Sequence, residues 1–134
     1  MKKWLSLFAF IVLAVGLAAW GGPPRIEVSE ASLALGDVVN GQIVTREVTV
    51  QNVGKSVLII EAVSTSCGCT EAAVSATRIP SGSSGVLTIR FDSGAHGPAL
   101  TGQLVRQVFI ATNDPQQPEL VVELAANILP PTNR

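Results

Sequence analysis

Two cysteines separated by one glycine are the residues of this sequence with the most potential for chemistry. Cys67 and Cys69 are the only cysteines of the chain, and Gly68 lies between them. In an extended segment both sulfur atoms would lie on the same face, because side chains alternate with a period of two. We expect Gly68 to permit a backbone turn that other residues tolerate less well. The motif therefore predicts two neighbouring sulfur atoms at a bend.

Three roles are open for this sulfur pair. In a structural role, the cysteines pack as small hydrophobic side chains or form a disulfide bond. In a metal-binding role, two thiolates bind copper(I) or zinc(II) and His96 supplies a third ligand. In a redox role, the pair exchanges disulfide bonds with other thiols. The structural role, without a cofactor, is the expectation, because the chain has one histidine and no methionine after Met1 to complete a metal site.

Few other side chains could form an active site. His96 lies in a segment whose composition predicts a loop, Ser93-Gly94-Ala95-His96-Gly97-Pro98. A solvated loop histidine is the ordinary interpretation of such a residue. A serine nucleophile needs a neighbouring base, and after the first 20 residues we find only His96 and Lys55 to act as one. We therefore predict that the protein is not an enzyme.

A second polar motif, Asn113-Asp114-Pro115, is typical of a hairpin turn. In such turns an asparagine or aspartate side chain accepts hydrogen bonds from the nearby backbone. A calcium site would need more acidic oxygens than Asp114 and Glu119 provide. The motif therefore predicts a turn between two strands.

The charge of the chain argues against a nucleic-acid partner. The formal net charge is -1, and it becomes -3 when Lys2 and Lys3 are left out with the rest of the first 20 residues. After that segment Phe91 and Phe109 are the only aromatic residues. Nucleic-acid binding needs clustered basic residues to neutralise phosphates, and often aromatic rings on which bases stack. We expect another envelope protein as the partner, and no nucleic acid.

The N-terminus has the pattern of a targeting segment. Met1-Lys2-Lys3 is positively charged, and residues 4–20 form an uncharged run rich in leucine, alanine, valine and phenylalanine. This pattern predicts a secretory signal peptide over residues 1–20. An uncleaved membrane anchor is the alternative, because 17 residues span roughly 25 Å as a helix, the lower limit for a bilayer. We expect a periplasmic or extracellular protein that touches the membrane only through residues 4–20, if these are retained.

Residues 17–21 are similar to a bacterial lipoprotein box in which Trp20 replaces the acylated cysteine. Without that thiol no lipid can be attached, so we predict that the protein is not lipidated at position 20. Residues 21–25 follow as a linker. Gly22-Pro23-Pro24 makes this linker stiff and prevents a helix from continuing, because proline lacks the backbone N–H and restricts the residue before it.

The remaining residues, 26–134, have the pattern of short strands separated by turns. Residues 43–52 alternate with a period of two, and Leu87, Ile89 and Phe91 share one side of another alternating stretch. Residues 57–63 are continuously apolar, as in a strand buried on both faces. The other predicted strands are 25–28, 32–35 (ended by Gly36-Asp37), 71–76, 104–111 and 119–126.

About seven strands at spacings of roughly 8–12 residues are the signature of an immunoglobulin-like β-sandwich. An up-and-down barrel is the alternative on the same pattern. The predicted core is aliphatic, with Phe91 and Phe109 as its only large fillers. The sequence therefore predicts an all-β domain over residues 26–134.

The cysteine motif also carries a resemblance to a known family. The sequence resembles the bacterial family named domain of unknown function 1573, from about Ile26 to Ile128. The matching motifs, quoted from this sequence, are Asn52-Val53-Gly54, Leu58-Ile59-Ile60, Ser66-Cys67-Gly68-Cys69-Thr70, Ile79-Pro80-Ser81-Gly82, Ile89-Arg90-Phe91-Asp92, Gly102 and Thr112-Asn113-Asp114-Pro115. One departure is Ala34-Leu35-Gly36, where the family often has Asp-Phe-Gly.

The resemblance implies an immunoglobulin-like fold related to the Hydin-like (ASH) and major-sperm-protein domains, in exported or surface-attached bacterial proteins. No activity is settled for the family. We therefore expect a non-enzymatic module of the cell envelope that binds another protein through a sheet face or a strand edge. The alternative is a small metal-binding or thiol-redox protein that uses Cys67 and Cys69.

Overall fold

A computed structural model describes residues 21–133 of the chain. These residues form nine strands and no helix. The strands are β1 (Ile26–Val28), β2 (Ser32–Val39), β3 (Ile43–Asn52), β4 (Leu58–Thr65), β5 (Thr70–Val74), β6 (Arg78–Ile79), β7 (Ser84–Asp92), β8 (Gly102–Thr112) and β9 (Glu119–Leu129). The count exceeds the expected number of about seven, and the short β6, which pairs with β4, is the strand that the sequence did not predict.

The strands form two sheets packed as a sandwich. One sheet has four strands in the order β1-β3-β7-β5, and the other has five in the order β2-β9-β8-β4-β6. All neighbours are antiparallel except β2 and β9, which are parallel. The predicted β-sandwich is confirmed, whereas the alternative of one closed barrel is wrong because the strands lie in two separate sheets. The predicted signal or anchor segment lies outside the described residues.

The core consists of side chains that alternate inward along the long strands. On β7, Leu87, Ile89 and Phe91 are at most 2% exposed, as the period of two predicted. Val108, Ile110 and Val122 from β8 and β9 are fully buried and face them from the other sheet. The prediction that Phe109 fills the core is wrong. Phe109 is half-exposed between two fully buried neighbours, so its ring lies on the outer face of the sheet.

Two predicted strands differ from the observed ones in more than the positions of their end residues. The strand expected to end at Leu35 continues to Val39, because Gly36 adopts a φ of +70° and the pairing with β9 shifts register there instead of stopping. Such a bulge keeps both ends of a strand in the sheet. Strand β4 is not buried on both faces as expected: Leu58 and Ile60 are buried, whereas Ala62 is exposed.

Candidate functional sites

The cysteine motif lies in the turn that joins β4 of the five-stranded sheet to β5 of the four-stranded sheet. Residues 66–69 form a turn, as the motif predicts: the Thr70 amide donates to the Cys67 carbonyl at 3.2 Å and closes it. The Thr65 hydroxyl lies 2.9 Å from the same carbonyl. Cys67 and Cys69 form a disulfide bond, with their Cα atoms 5.2 Å apart. Ser66 marks the start of this turn, and its hydroxyl accepts a hydrogen bond from the Gln107 amide at 2.9 Å.

Gly68 does not have the conformational role expected from the sequence. Five glycines among the described residues have a positive φ, and Gly68 is not one of them. A Cβ placed on Gly68 would meet no atom within 4 Å. The turn therefore forms without any requirement for glycine at its tip, where the residue is exposed.

The two sulfur atoms lie in different surroundings. Cys67 is half-exposed, and its Sγ lies 3.1 Å from Nε2 of His96. Cys69 is only 3% exposed, and its Sγ accepts a hydrogen bond from Nε of Arg106 at 3.4 Å. The Thr70 hydroxyl lies 3.6 Å from the same sulfur. One sulfur is thus reachable from solvent, and the other is buried beside a permanent positive charge.

His96 is held in place by the loop that carries it. The buried Asn40 donates from Nδ2 to the carbonyl oxygens of Gly97, at 3.0 Å, and Leu100, at 2.9 Å. Ser93, also buried, donates its hydroxyl to the Gln42 carbonyl at 2.7 Å. These bonds fix both ends of the loop to the β2–β3 connection. The imidazole is exposed, as expected, yet it is positioned against a sulfur atom.

The structure brings together the three residues that the sequence named as candidate metal ligands. The ligand atoms of Cys67, Cys69 and His96 all lie within 4.8 Å of one another. Arg106 was not predicted, because it is 37 residues away and reaches Cys69 only through the pairing of β4 with β8. Reduced, the sulfurs could bind a soft metal ion, since thiolate and imidazole suit copper(I) and zinc(II). Bonded to each other, they can exchange with an external thiol.

The Asn113-Asp114-Pro115 motif forms the turn between β8 and β9 and organises the backbone around it. Oδ2 of Asp114 accepts a hydrogen bond from the Ile26 amide at 2.9 Å, and Oδ1 accepts one from the Gln116 amide at 2.8 Å. Asn113 bonds to β4, with Oδ1 accepting from the Ile59 amide at 2.8 Å. Burial acts to raise the pKa of Asp114, but backbone amide donors and the Arg25 charge outweigh it and lower the pKa.

The outer face of the five-stranded sheet carries exposed apolar side chains. On β8 these are Val105, which is 51% exposed, and the partly buried Phe109, and on β9 they are Val121, which is 37% exposed, and the partly buried Ala125. Register places Val105 opposite Ala125 and Phe109 opposite Val121. Ala34 of β2 extends the first row, since it pairs with Ala125. We call these five residues the apolar face.

The charges around the apolar face are mainly acidic. Glu119 and Glu123 alternate with Val121 and Ala125 on the outer side of β9. On β8 the residues interspersed with Val105 and Phe109 are uncharged glutamine and alanine. Arg78 of β6 lies at the far edge of the same sheet, beside β4. The centre of the sheet therefore presents apolar side chains beside two carboxylates.

Comparisons with known proteins place this fold among characterised ones. The family model described as a protein of unknown function, DUF1573, matches residues 26–128, which confirms the resemblance seen in the motifs. No curated protein matches the chain. Within residues 21–133, we find no helix with the length and hydrophobicity needed to span a bilayer.

Three solved structures show the same fold. A protein of unknown function from Porphyromonas gingivalis W83 aligns with a TM-score of 0.69 and 22% identity, over 83% of this chain and 50% of that chain. The human CEP192 ASH/PapD-like domain aligns with a TM-score of 0.61 and 11% identity, over 82% of this chain and 89% of that domain. The Vibrio cholerae VesB protease aligns with a TM-score of 0.61 and 10% identity, over 88% of this chain and 35% of the protease. This chain thus spans about half of the P. gingivalis protein.

Proposed function

The chain belongs to the DUF1573 family, and on that premise we propose that it is a non-enzymatic protein-interaction module of the bacterial cell envelope. The observation that carries the proposal is the apolar face of the five-stranded sheet. Soluble domains seldom cluster exposed apolar side chains on one face unless a partner binds them. Val105 and Val121, more than one third exposed in adjacent strands, are side chains that such a partner would bury.

The charges around the apolar face define the chemistry of the partner. Glu119 and Glu123 lie on the same side of β9 as Val121, and Glu123, which pairs with Gln107, lies between the two apolar rows, so the matching surface combines apolar side chains with lysine or arginine residues. Complementary charges steer two proteins together and fix their register, while apolar burial provides most of the affinity. We therefore propose as the partner a protein whose binding surface carries both apolar and basic side chains, and no nucleic acid.

A second copy of this chain fits the face less well. In a symmetric dimer each apolar face would meet its own copy, because a two-fold interface uses the same patch twice. The Glu119 and Glu123 carboxylates of the two copies would then be brought close together, and like charges at an interface oppose association. These two carboxylates thus favour a different protein.

The geometry around His96 supports a non-enzymatic role. A hydrolase base must face a hydroxyl or thiol nucleophile, whereas the side-chain partner of His96 is a sulfur that is already bonded to Cys69. The likeness to VesB concerns 35% of that protease. A shared fold does not carry an activity with it, so that likeness adds no catalytic residue to this chain.

Export is supported by the sequence of residues 1–20. We expect the protein in the periplasm or outside the cell, without a lipid at position 20. Cell fractionation followed by N-terminal sequencing tests this expectation. A mature start near Trp20 or Gly22 means a cleaved signal peptide, and an intact Met1 in the membrane fraction means an anchor. Recovery of the protein in the cytoplasm, or a fatty acid attached at Trp20, would contradict it.

Photo-crosslinking in living cells tests the interaction. A photoreactive amino acid placed at Val105 should form an adduct with another protein. The control is the same amino acid at Ile43, which is also 51% exposed but belongs to the four-stranded sheet. We expect a discrete adduct from position 105 and none from position 43. Equal adducts from both positions, or an adduct of the chain with itself only, would contradict the proposed role.

A further inference from the structure

We propose that Cys67 and Cys69 form a thiol–disulfide exchange site, in which the accessible sulfur of Cys67 is attacked and the buried sulfur of Cys69 leaves beside Arg106. This inference is independent of the apolar face. It is carried by the asymmetry of the two sulfurs: Cys67 is half-exposed, whereas Cys69 is 3% exposed. A bond with one open and one shielded sulfur directs an incoming thiolate to the open one, because access decides which sulfur is attacked.

A purely structural role explains the bond poorly. The cysteines are separated by two positions in the sequence, so the crosslink closes a very short loop. The stabilisation that a disulfide provides grows with the length of the loop, because it acts largely by restricting the unfolded chain. The turn is also closed by hydrogen bonds of Thr65 and Thr70 to the Cys67 carbonyl. The disulfide bond therefore adds little to the stability of the turn.

Arg106 is positioned to stabilise the leaving group. Its Nε donates to Sγ of Cys69 at 3.4 Å, and arginine keeps its positive charge under all ordinary conditions. When the bond to Cys67 breaks, the electron pair goes to Cys69 Sγ and a thiolate forms at that distance from the guanidinium. A better-stabilised thiolate leaves faster. Arg106 therefore acts on the rate through the sulfur of Cys69 and is a positioning residue.

The full exchange with an external dithiol is balanced as follows. One thiolate of the dithiol attacks Cys67 Sγ, forms a mixed disulfide and releases Cys69 as a thiolate. The second thiolate of the dithiol then attacks the first sulfur of the dithiol, which is bonded to Cys67, and releases Cys67 as a thiolate. The dithiol loses two electrons and two protons and becomes a disulfide, and the protein gains both and becomes a dithiol. His96, with Nε2 3.1 Å from Cys67 Sγ, is placed to hydrogen-bond the released sulfur.

The proposed substrate class is a dithiol, supplied by cysteine pairs of envelope proteins. The metal-binding alternative requires both sulfurs to be reduced, because a thiolate is the ligand, whereas here the sulfurs are bonded to each other. The bonded state favours exchange. The experiments below therefore include a measurement that would detect a bound metal ion.

The first experiment locates the attacked sulfur. Full-length Cys69→Ser and Cys67→Ser proteins are incubated with glutathione disulfide, and glutathione adducts are measured by mass spectrometry. The folded Cys69→Ser protein, which keeps Cys67, should react at least about tenfold faster than the Cys67→Ser protein, because the remaining sulfur of the latter is buried. In urea the two variants should react at equal rates, which shows that the fold creates the difference. Equal rates in the folded state would overturn the proposal.

The second experiment tests Arg106 in a protein that keeps both cysteines. The folded protein is reduced with dithiothreitol, and free thiols are trapped by alkylation over time. Arg106→Gln should slow the reduction roughly tenfold, the effect of one charged hydrogen bond, and Arg106→Lys should restore part of the rate. The matched control is Arg90→Gln, because Arg90 is an exposed arginine whose ion-pair partner is Glu71. It should leave the rate unchanged.

Two results would overturn the proposal. One is a wild-type disulfide that dithiothreitol reduces only after unfolding by urea, which would make the bond a structural crosslink. The other is protein isolated without reductant that contains about one zinc or copper ion per chain and two unbonded sulfurs, which would make the site a metal centre. Reduction in the folded state with an unchanged circular dichroism spectrum is the expected result.

Discussion

At the scale of single residues, Gly54 lies where two backbone segments touch. A Cβ on Gly54 would lie 2.4 Å from the backbone nitrogen of Arg25 and 2.4 Å from the carbonyl oxygen of Pro23. The linker segment predicted over residues 21–25 is thus packed against the turn after β3, with Pro24 buried. Backbone atoms cannot move aside as a flexible side chain can. The absence of a side chain at Gly54 is therefore what lets the segment before β1 rest on the domain.

The glycines at positions 54 and 68 give a matched pair of substitutions. Gly54→Ala should lower the free energy of unfolding by roughly 3 kcal/mol, because overpacking forces backbone shifts. Gly68→Ala should leave the stability unchanged or raise it by up to about 1 kcal/mol, because alanine restricts the unfolded chain and its Cβ meets nothing within 4 Å. Urea denaturation measures both values. A larger loss for Gly68→Ala than for Gly54→Ala would contradict the described backbone.

The sequence identified some residues of the cysteine site and missed another for a physical reason. Cys67, Cys69 and His96 were predicted as a set because their side chains share an affinity for soft metals. Arg106 carries no such signal, and only the register of β4 with β8 brings it to Cys69. Gly68 was misjudged because glycine permits several conformations and the sequence does not show which one is used.

At the scale of elements, Asp114 joins β1 to the β8–β9 hairpin. Its buried carboxylate accepts amide hydrogen bonds from both, and its pKa is lowered from the ordinary value of 3.8. Asp114→Asn should lower the free energy of unfolding by about 2 kcal/mol at pH 7, because one oxygen acceptor becomes an NH2 donor that faces an amide. Denaturant titration at pH 7 measures this loss.

The same carboxylate predicts a pH dependence. A group whose pKa is lower in the folded state stabilises the fold fully above its unfolded pKa, and this contribution is lost as pH falls through the folded pKa. The stability difference between wild type and Asp114→Asn should thus be constant above about pH 5 and shrink below about pH 4. A difference that stays constant down to pH 2 would contradict the role of the ionised carboxylate.

The two phenylalanines of the described domain differ in burial: Phe91 of β7 lies in the core, and Phe109 of β8 lies on the outer face of its sheet. Phe91→Ala should lower the free energy of unfolding by about 3–5 kcal/mol, the usual loss for a buried aromatic side chain, since Phe91 is 2% exposed. Phe109→Ala should cost less, about 1–2 kcal/mol, because its ring is already half-exposed. Thermal or urea unfolding of both variants decides this. Equal losses would mean that Phe109 is part of the core.

Strands were predicted where hydrophobic alternation is strong. Strand β3 has the predicted bounds, and the buried side of β7 was identified correctly, because one face of each strand is apolar and the other polar. The pattern failed at Gly36, where glycine predicts the end of a strand but forms a bulge. It failed again at Phe109, because hydrophobicity alone does not distinguish a core side chain from one on the outer face of a sheet.

At the scale of the whole molecule, the proposed binding surface is the outer face of the five-stranded sheet. The four-stranded sheet buries its inner side chains against the five-stranded sheet, and the outer side of the latter keeps Val105 and Val121 exposed. The cysteine turn lies at the crossing between the two sheets, where β4 ends and β5 begins. Arg106, which donates to Cys69 Sγ and to the Val105 carbonyl, connects this turn with the apolar face.

The central claim is that the apolar face binds another protein. The most direct test introduces a charge at two positions of equal exposure, one on this face and one on the other sheet. Full-length wild type, Val105→Lys and Ile43→Lys are immobilised, and the envelope proteins that each retains are quantified by mass spectrometry. Both replaced residues are 51% exposed, so neither substitution should unfold the domain. The account predicts that wild type and Ile43→Lys retain at least one protein in common. Val105→Lys should retain roughly tenfold less of that protein, or lose it. Identical retention by all three proteins would contradict it.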